Sequence, residues 1–345
     1  MRNLFFAALL VVAAGARADQ KNVQILKGMS DLQLQRTMNM MRASLGVRCD
    51  YCHVNDEKTG WDFASDAKDE KRQARDMIRM TIQMNHDYFK ERPEISCVTC
   101  HRGSSAHPAG SVTLPQTAPP PPTPKSARPE MPPLADVVKK YAAAIGDASR
   151  FALPRTLKGT REMSDGKPVP IVIEQHGAQF HATVETEEGK SEQAINDDGG
   201  WSRGPKGVVA PLKESQVENQ REILAAFEPL LPSAIPANAR VVAKDRIGER
   251  DVIVVSSRIS ETQRQRLSFD AASGLLLRRV VLTATPIGEI PRQTDYDDWR
   301  DVGGTKFPFS VRVSLVDPWV GSWRRYTDVK LGAAVSEAAF KQPQS

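Results

Sequence analysis

Cys49-Asp50-Tyr51-Cys52-His53 ("CDYCH") and Cys97-Val98-Thr99-Cys100-His101 ("CVTCH") repeat one pattern, and together they hold all four cysteines of the chain. What the thiols are for depends on the compartment, which the amino terminus addresses. "MRNLFFAALLVVAAGARADQ" sets Arg2 before an apolar run from Leu4 to Ala14, followed by Ala16-Arg17-Ala18. The run is about half of the ~20 residues a transmembrane helix needs, and the small residues suit cleavage before Asp19. Residues 1–18 therefore read as a signal peptide and the mature protein as soluble and periplasmic. Outside the cytoplasm thiols end as disulfides, metal ligands or cofactor attachments.

A zinc ribbon spaces its cysteine pairs about 15 to 20 residues apart, much closer than these pairs, and neither segment shows the strand–helix unit of a thioredoxin-like motif. The histidine after each second cysteine discriminates further. In c-type attachment two thiols add to the porphyrin vinyl groups, and the adjacent imidazole is thereby held beneath the iron. The expectation is two haem c groups, attached through Cys49, Cys52, Cys97 and Cys100, with His53 and His101 as proximal ligands.

The far side of each iron decides between chemistry and electron transfer, because a second strong ligand closes the metal. Upstream of the first motif, Ser30 and Gln33 form a capping-box pattern and Gly46 is a stop signal, predicting a helix of about fifteen residues. Leu34, Met38, Met41 and Leu45 fall on one stripe with Met40 on the opposite face, so Met38 or Met41 can reach an iron. Before the second motif a helix is expected from near Asp66 to His86 or Asp87, where Ala74, Met77, Met80 or Thr81, and Met84 share a face. Arg-x-Met occurs in both helices, at Arg36–Met38 and Arg75–Met77, as in a unit used twice. His86 and His107 are the competing distal ligands, the first read as a solvated helix end and the second as part of a linker.

"KNVQILKGMSDLQLQRTMNMMRASLGVRCDYCH", "FASDAKDEKRQARDMIRMTIQMN" and "ISCVTCHRG" resemble the multihaem cytochrome subunit of photosynthetic reaction centres, in the half that carries its first pair of haems. That resemblance implies a helical module in which a methionine of each helix is the distal ligand: Met38 for the first iron and Met77 for the second, with Met41 and Met80 as alternatives. A family histidine that ligates a further haem corresponds here to Glu91, in keeping with a dihaem version. The redox partners implied are a protein donor and acceptor, which can include a membrane-associated electron-transfer complex.

Composition then shifts. "SSAHPAGSVTLPQTAPPPPTPKSARPEMPP" contains Pro119 to Pro122 in a row, a polyproline spacer that places a boundary at residues 106–133, after a haem domain at 19–105. Residues 134–345 read mostly as strands. Val311, Val313 and Leu315 alternate with Arg312 and Ser314, turn signals recur at Glu188-Gly189, Gly248-Glu249 and Ser273-Gly274, and "LADVVKKYAAAIG" and "QVENQREILAAF" interrupt as helices. The fold class expected is multidomain: an α-helical dihaem c-type cytochrome module followed by an α+β, mainly antiparallel curved-sheet domain.

"FDAASGLLLRRVVLTATPIGEIPRQTDYDDWRDVGGTKFPFSVRV", with Tyr296, Trp299, Asp301, Gly303, Phe307 and Pro308, resembles outer-membrane lipoprotein carriers and lipoprotein-sorting-like proteins. That likeness implies a half-open barrel holding an apolar ligand, with Trp201, Trp299, Trp319 and Trp323 as candidate lining residues. His176 and His181 straddle a turn at Gly177, and no nucleophile, carboxylate pair or phosphate loop stands out. A formal charge of +5 over 345 residues gives no argument for nucleic acid. The function expected is one-electron transfer without catalysis; the alternatives are an apolar-ligand carrier with a haem redox sensor, and a dihaem peroxidase-like enzyme.

Overall fold

The structure, a computed structural model, describes residues 20–56, 58–105, 130–163, 166–314 and 321–343. The proposed signal peptide, most of the proline-rich segment, His107, Leu315 and Trp319 lie outside the described residues.

The first part contains α1 (Asp31–Leu45), a hairpin of β1 (Val54–Asp56) and β2 (Gly60–Asp62), α2 (Asp69–Phe89) and α3 (Cys97–His101). The capping box at the start of α1 is formed, with Gln33 N donating to Ser30 Oγ at 3.3 Å and Ser30 N to Gln33 Oε1 at 3.0 Å. Gly46 ends the helix in the left-handed conformation. α2 starts at Asp69, later than the pattern suggests, because the residues before it are committed elsewhere. Asp62 Oδ1 accepts from Ala64 N and Ser65 N in a tight turn, and Asp66 is paired with Arg75 at 2.8 Å and Lys71 at 3.2 Å.

The second part opens with α4 (Leu134–Ile145) and continues into β3 (Arg155–Met163), β4 (Val169–His176), β5 (Gln179–Thr186), β6 (Gly189–Asn196), β7 (Gly199–Arg203) and β8 (Val209–Pro211). After α5 (Glu214–Phe227) come β9 (Arg240–Ile247), β10 (Arg250–Arg258), β11 (Gln263–Asp270) and β12 (Leu276–Thr285). β13 (Gly288–Asp301), β14 (Lys306–Ser314) and β15 (Gly321–Leu331) complete it. These strands form one open antiparallel sheet of 13 strands in the order β8-β7-β6-β5-β4-β3-β15-β14-β13-β12-β11-β10-β9. Two hairpin meanders thus meet in the middle, where the first strand, β3, pairs with the last, β15. The short connections and period-2 burial that announced strands in the sequence are those of the meanders.

α4 and α5 lie on one face. Val137, Tyr141 and Ile145 of α4 and Val217, Leu224 and Phe227 of α5 share a continuous core with Leu157, Ile171, Phe180, Leu267, Phe269 and Val311 from both wings. Two buried tyrosine hydroxyls are satisfied: Tyr141 donates to Leu230 O at 2.7 Å and Tyr296 to Glu228 O at 2.8 Å. Arg155 of β3, 5% exposed, pairs with Glu228 at 2.6 Å and ties the end of α5 to the sheet centre.

Candidate haem-attachment site

Each Cys-x-x-Cys-His unit folds as one turn. His53 N donates to Cys49 O at 3.0 Å, and α3 is the second motif itself, entered from Ser96, whose N–H reaches Thr99 Oγ1 at 3.1 Å. The two units are brought together by α1. Gly103 N donates to Ser44 O at 2.8 Å, and a Cβ on Gly46 would stand 2.1 Å from Gly103 O. Gly46, at φ +66°, is therefore required both by its conformation and by the approach of the second motif. Gly46→Ala is expected to destabilise the protein by about 1–3 kcal/mol, read as a lower denaturation midpoint.

All four thiols are free, Cys49 and Cys100 on the surface and Cys52 and Cys97 half-buried. Burial pushes the Cys52 and Cys97 thiols up from their ordinary values. The His53 ring is edge-on to Phe63 at 5.2 Å, and Phe63 stacks on Trp61 at 5.4 Å. Lys71 fixes this ledge: nearly buried, it donates to Phe63 O, Ala64 O and Ser65 O at 2.8–3.0 Å. Burial, reinforced by the Lys71 ammonium, holds the His53 imidazole below its ordinary pKa, although the Phe63 carbonyl opposes the shift. It is neutral at pH 7, and Nδ1 is buried without a hydrogen bond of good geometry. At the second motif His101 Nδ1 lies 3.2 Å from Ser104 O; with the proton on Nδ1, Nε2 is left as an acceptor. Phe63 and Lys71 had no signature in the sequence, since a lone aromatic and a lone lysine are ordinary.

The methionines divide into two groups. Met40 and Met41, 3% and 9% exposed, are packed with Leu26, Leu34 and Ile78 in a core that also takes Ile287 and Ile290 of the sheet part. The buried side of α1 runs through Leu34, Thr37, Met40, Met41 and Ser44, so Met40 faces inward and not away from the packed stripe as its spacing suggested. The core it joins includes Ile287 and Ile290, which a local pattern in α1 does not report. Met38 sits at the margin of that side, half-buried. On α2 the buried residues are Lys71, Ile78, Thr81 and Asn85, which leaves Met77 at 39% and Met80 at 44% exposure. His86 is exposed and held by Asp87 at 2.7 Å.

Among the described residues, the sheet part does not gather Trp201, Trp299 and Trp323 into one cleft. Trp201 is 3% exposed and donates to Phe340 O at 3.1 Å. Trp323 donates to Ser310 Oγ at 2.8 Å beneath the Arg325 guanidinium, and Trp299 packs on Tyr296. By strand register Trp201 and Trp323 project from the face opposite α4 and α5. His181 is engaged by Glu174 at 3.1 Å, and no group of three metal-competent side chains occurs among the described residues. No helix among them is long and apolar enough to cross a membrane.

The first part of the chain is thus cytochrome c-like in its motifs and the second a large open antiparallel sheet. Residues 10–122 match the family described as photosynthetic reaction centre cytochrome C subunit. Over 90 residues the chain is 36% identical to cytochrome c-554 of Chloroflexus aurantiacus, a stretch covering 24% of this chain and 20% of that relative. The chain therefore matches about a fifth of the length of that curated relative. The second part is similar to a LolA superfamily protein from Nitrosomonas europaea, at 10% identity and TM-score 0.38, covering 61% of this chain and 98% of that one. It is also similar to a putative outer membrane lipoprotein-sorting protein domain from Vibrio parahaemolyticus, at 8% identity and TM-score 0.35, covering 59% and 94%.

Proposed function

We propose that this chain is an exported c-type cytochrome with two haems, residues 19–105 forming the redox module and residues 134–345 a docking or binding body. The observation that carries the reading is the pair of complete Cys-x-x-Cys-His turns, with all thiols free, in the segment that resembles the reaction-centre cytochrome subunit. The donor set fits haem c at both motifs: thiols for two thioether links each, a half-buried imidazole at His53 whose Nδ1 makes no hydrogen bond of good geometry, and an imidazole oriented by a carbonyl at His101. Bound haem supplies one-electron ferric–ferrous chemistry. The residues of the chain then set its surroundings.

Phe63, held by Lys71, limits rotation of the His53 ring and shields it from water. Met38 and Met77 serve as the distal ligands. Met41 is the weaker alternative for the first site because its side chain is spent in the α1–α2 core. Met80 stays the alternative for the second. With Met38 and Met77 as sulfur donors, bound haem would favour its reduced state and offer no open position to peroxide, so the chain would exchange electrons with a donor and an acceptor protein. A haem stain and pyridine haemochrome assay on the purified protein should give two covalent haems per chain; one or none overturns the reading. Rapid cyanide binding or peroxide turnover by the ferric protein as isolated would instead reveal an open iron and an enzyme.

A further inference from the structure

The middle of the sheet carries a buried cation without a counter-ion. β3 and β15 meet there, and by register Arg161 and Arg324 stand directly opposite one another across the seam. Both lie on the face that carries α4 and α5, since Arg161 is four residues from Leu157 along β3 and Arg324 is partnered by Val311 on β14. Arg324 is 7% exposed, its guanidinium carbon lies 3.6 Å from the ring centroid of Phe227 of α5, and its Nε is buried without a hydrogen-bond partner. Among the described residues no carboxylate is within ion-pairing distance of it. The same sheet shows how its other arginines are held: Arg155, buried on the same face, pairs with Glu228 at 2.6 Å, and Arg325, on the opposite face, with Glu162 at 2.8 Å. Burial and the Arg324 charge push Arg161 down to about 10, the direction that a second guanidinium close by imposes. Like charges directly opposed on neighbouring strands destabilise a sheet, and a buried charge is normally paired. Folding alone does not favour this arrangement.

The geometry also says what would complete it. Phe227 covers one face of the Arg324 guanidinium, which leaves the N–H groups in its plane, the direction from which a carboxylate or phosphate oxygen accepts. Phe227, Val311 and Tyr326 make the surroundings apolar, all three belonging to the core. A free inorganic anion would lose its hydration there, whereas an apolar chain behind the anionic group recovers hydrophobic burial. We propose that Arg324, with Arg161 opposite it, binds the oxyanion head of a single-chain amphiphile, a carboxylate or a phosphate, on the helix-bearing face of the sheet. The proposal names a ligand for the binding body inferred above, rests on that reading, and does not depend on the haems.

The test is a calorimetric titration of the full-length protein, stripped of copurified lipid, with dodecanoate, dodecyl phosphate, dodecanol and inorganic phosphate. At least one of the two charged amphiphiles should bind saturably, and the tighter of them identifies the head group. Dodecanol, with the same chain and no charge, should bind about tenfold to a hundredfold more weakly. Arg324→Gln should lose a similar factor for the charged probe and leave dodecanol unchanged, while Arg325→Gln, on the opposite face, should alter neither. Equal affinity for dodecanol, equal affinity for inorganic phosphate, or an Arg324→Gln variant that binds the charged probe as wild type does would each overturn the proposal. A variant that only melts at a lower temperature, with its affinity intact, marks Arg324 as merely structural. Should Arg324→Gln fail to fold, Arg161→Gln and the comparison of probes on wild type decide. If dodecanol alone binds, the ligand-binding reading stands and this site falls; if no probe binds, both fall together.

Discussion

Cys97→Ser/Cys100→Ser is expected to leave one covalent haem per chain in place of two, with the remaining haem's spectrum close to wild type. These two thiols belong to α3, and the first motif carries its own pair, Cys49 and Cys52, with its own imidazole. Each unit should therefore load separately. The α1 terminus brings the motifs together through Gly46 and Gly103, but no group of three metal-competent side chains forms among the described residues, so a single zinc shared by all four thiols is the rival that this experiment tests against. A zinc site of that kind needs both pairs together. Loss of one pair would then abolish binding, and metal analysis of wild type would show zinc without haem. Halved haem absorbance on an equal-protein basis, with one stained band of half intensity, supports independent attachment.

The second large effect concerns the distal sulfurs. Met38→Ala and Met77→Ala should each lower the midpoint potential of one haem and weaken the far-red sulfur-to-iron charge-transfer band. Each should also let cyanide bind rapidly at one iron per chain, because an alanine methyl offers no donor. Met41→Ala is the control. Its side chain is 9% exposed in the core with Leu34, Ile78 and Ile290, so truncation should cost about 2–5 kcal/mol of stability and leave the band intact. If Met41→Ala abolishes the band at one haem and Met38→Ala does not, the first ligand is Met41. The same comparison between Met77 and Met80 decides the second, both side chains being exposed on α2.

Local chemistry was legible in the sequence where one short segment determines it. Ser30, Gln33 and Gly46 delimit α1, the hairpin turn signals mark the meanders, and the positions of α4 and α5 follow from their patterns. What was not legible depends on distant partners. Met40 is buried in a core that also takes Ile287 and Ile290, residues far along the chain. The late start of α2 depends on Asp66 being taken by Arg75 and Lys71, and the separate environments of Trp201, Trp299 and Trp323 depend on strand register and on Phe340. Periodicity reports that a face is apolar. It does not report which surface arrives to meet it.

The meeting of β3 and β15 bears on how such a chain matures. β3 leaves one edge unpaired until β15 is delivered, and the Glu162–Arg325 ion pair across that seam joins residues separated by 163 positions. Until then the early meander would wait with an open strand edge, the kind of surface that recruits other chains. Haem ligation to the earlier motifs needs no such delay. Folding of this protein should therefore be limited by closure of the seam, and chaperone dependence should fall on the sheet and not on the segment with the Cys-x-x-Cys-His motifs.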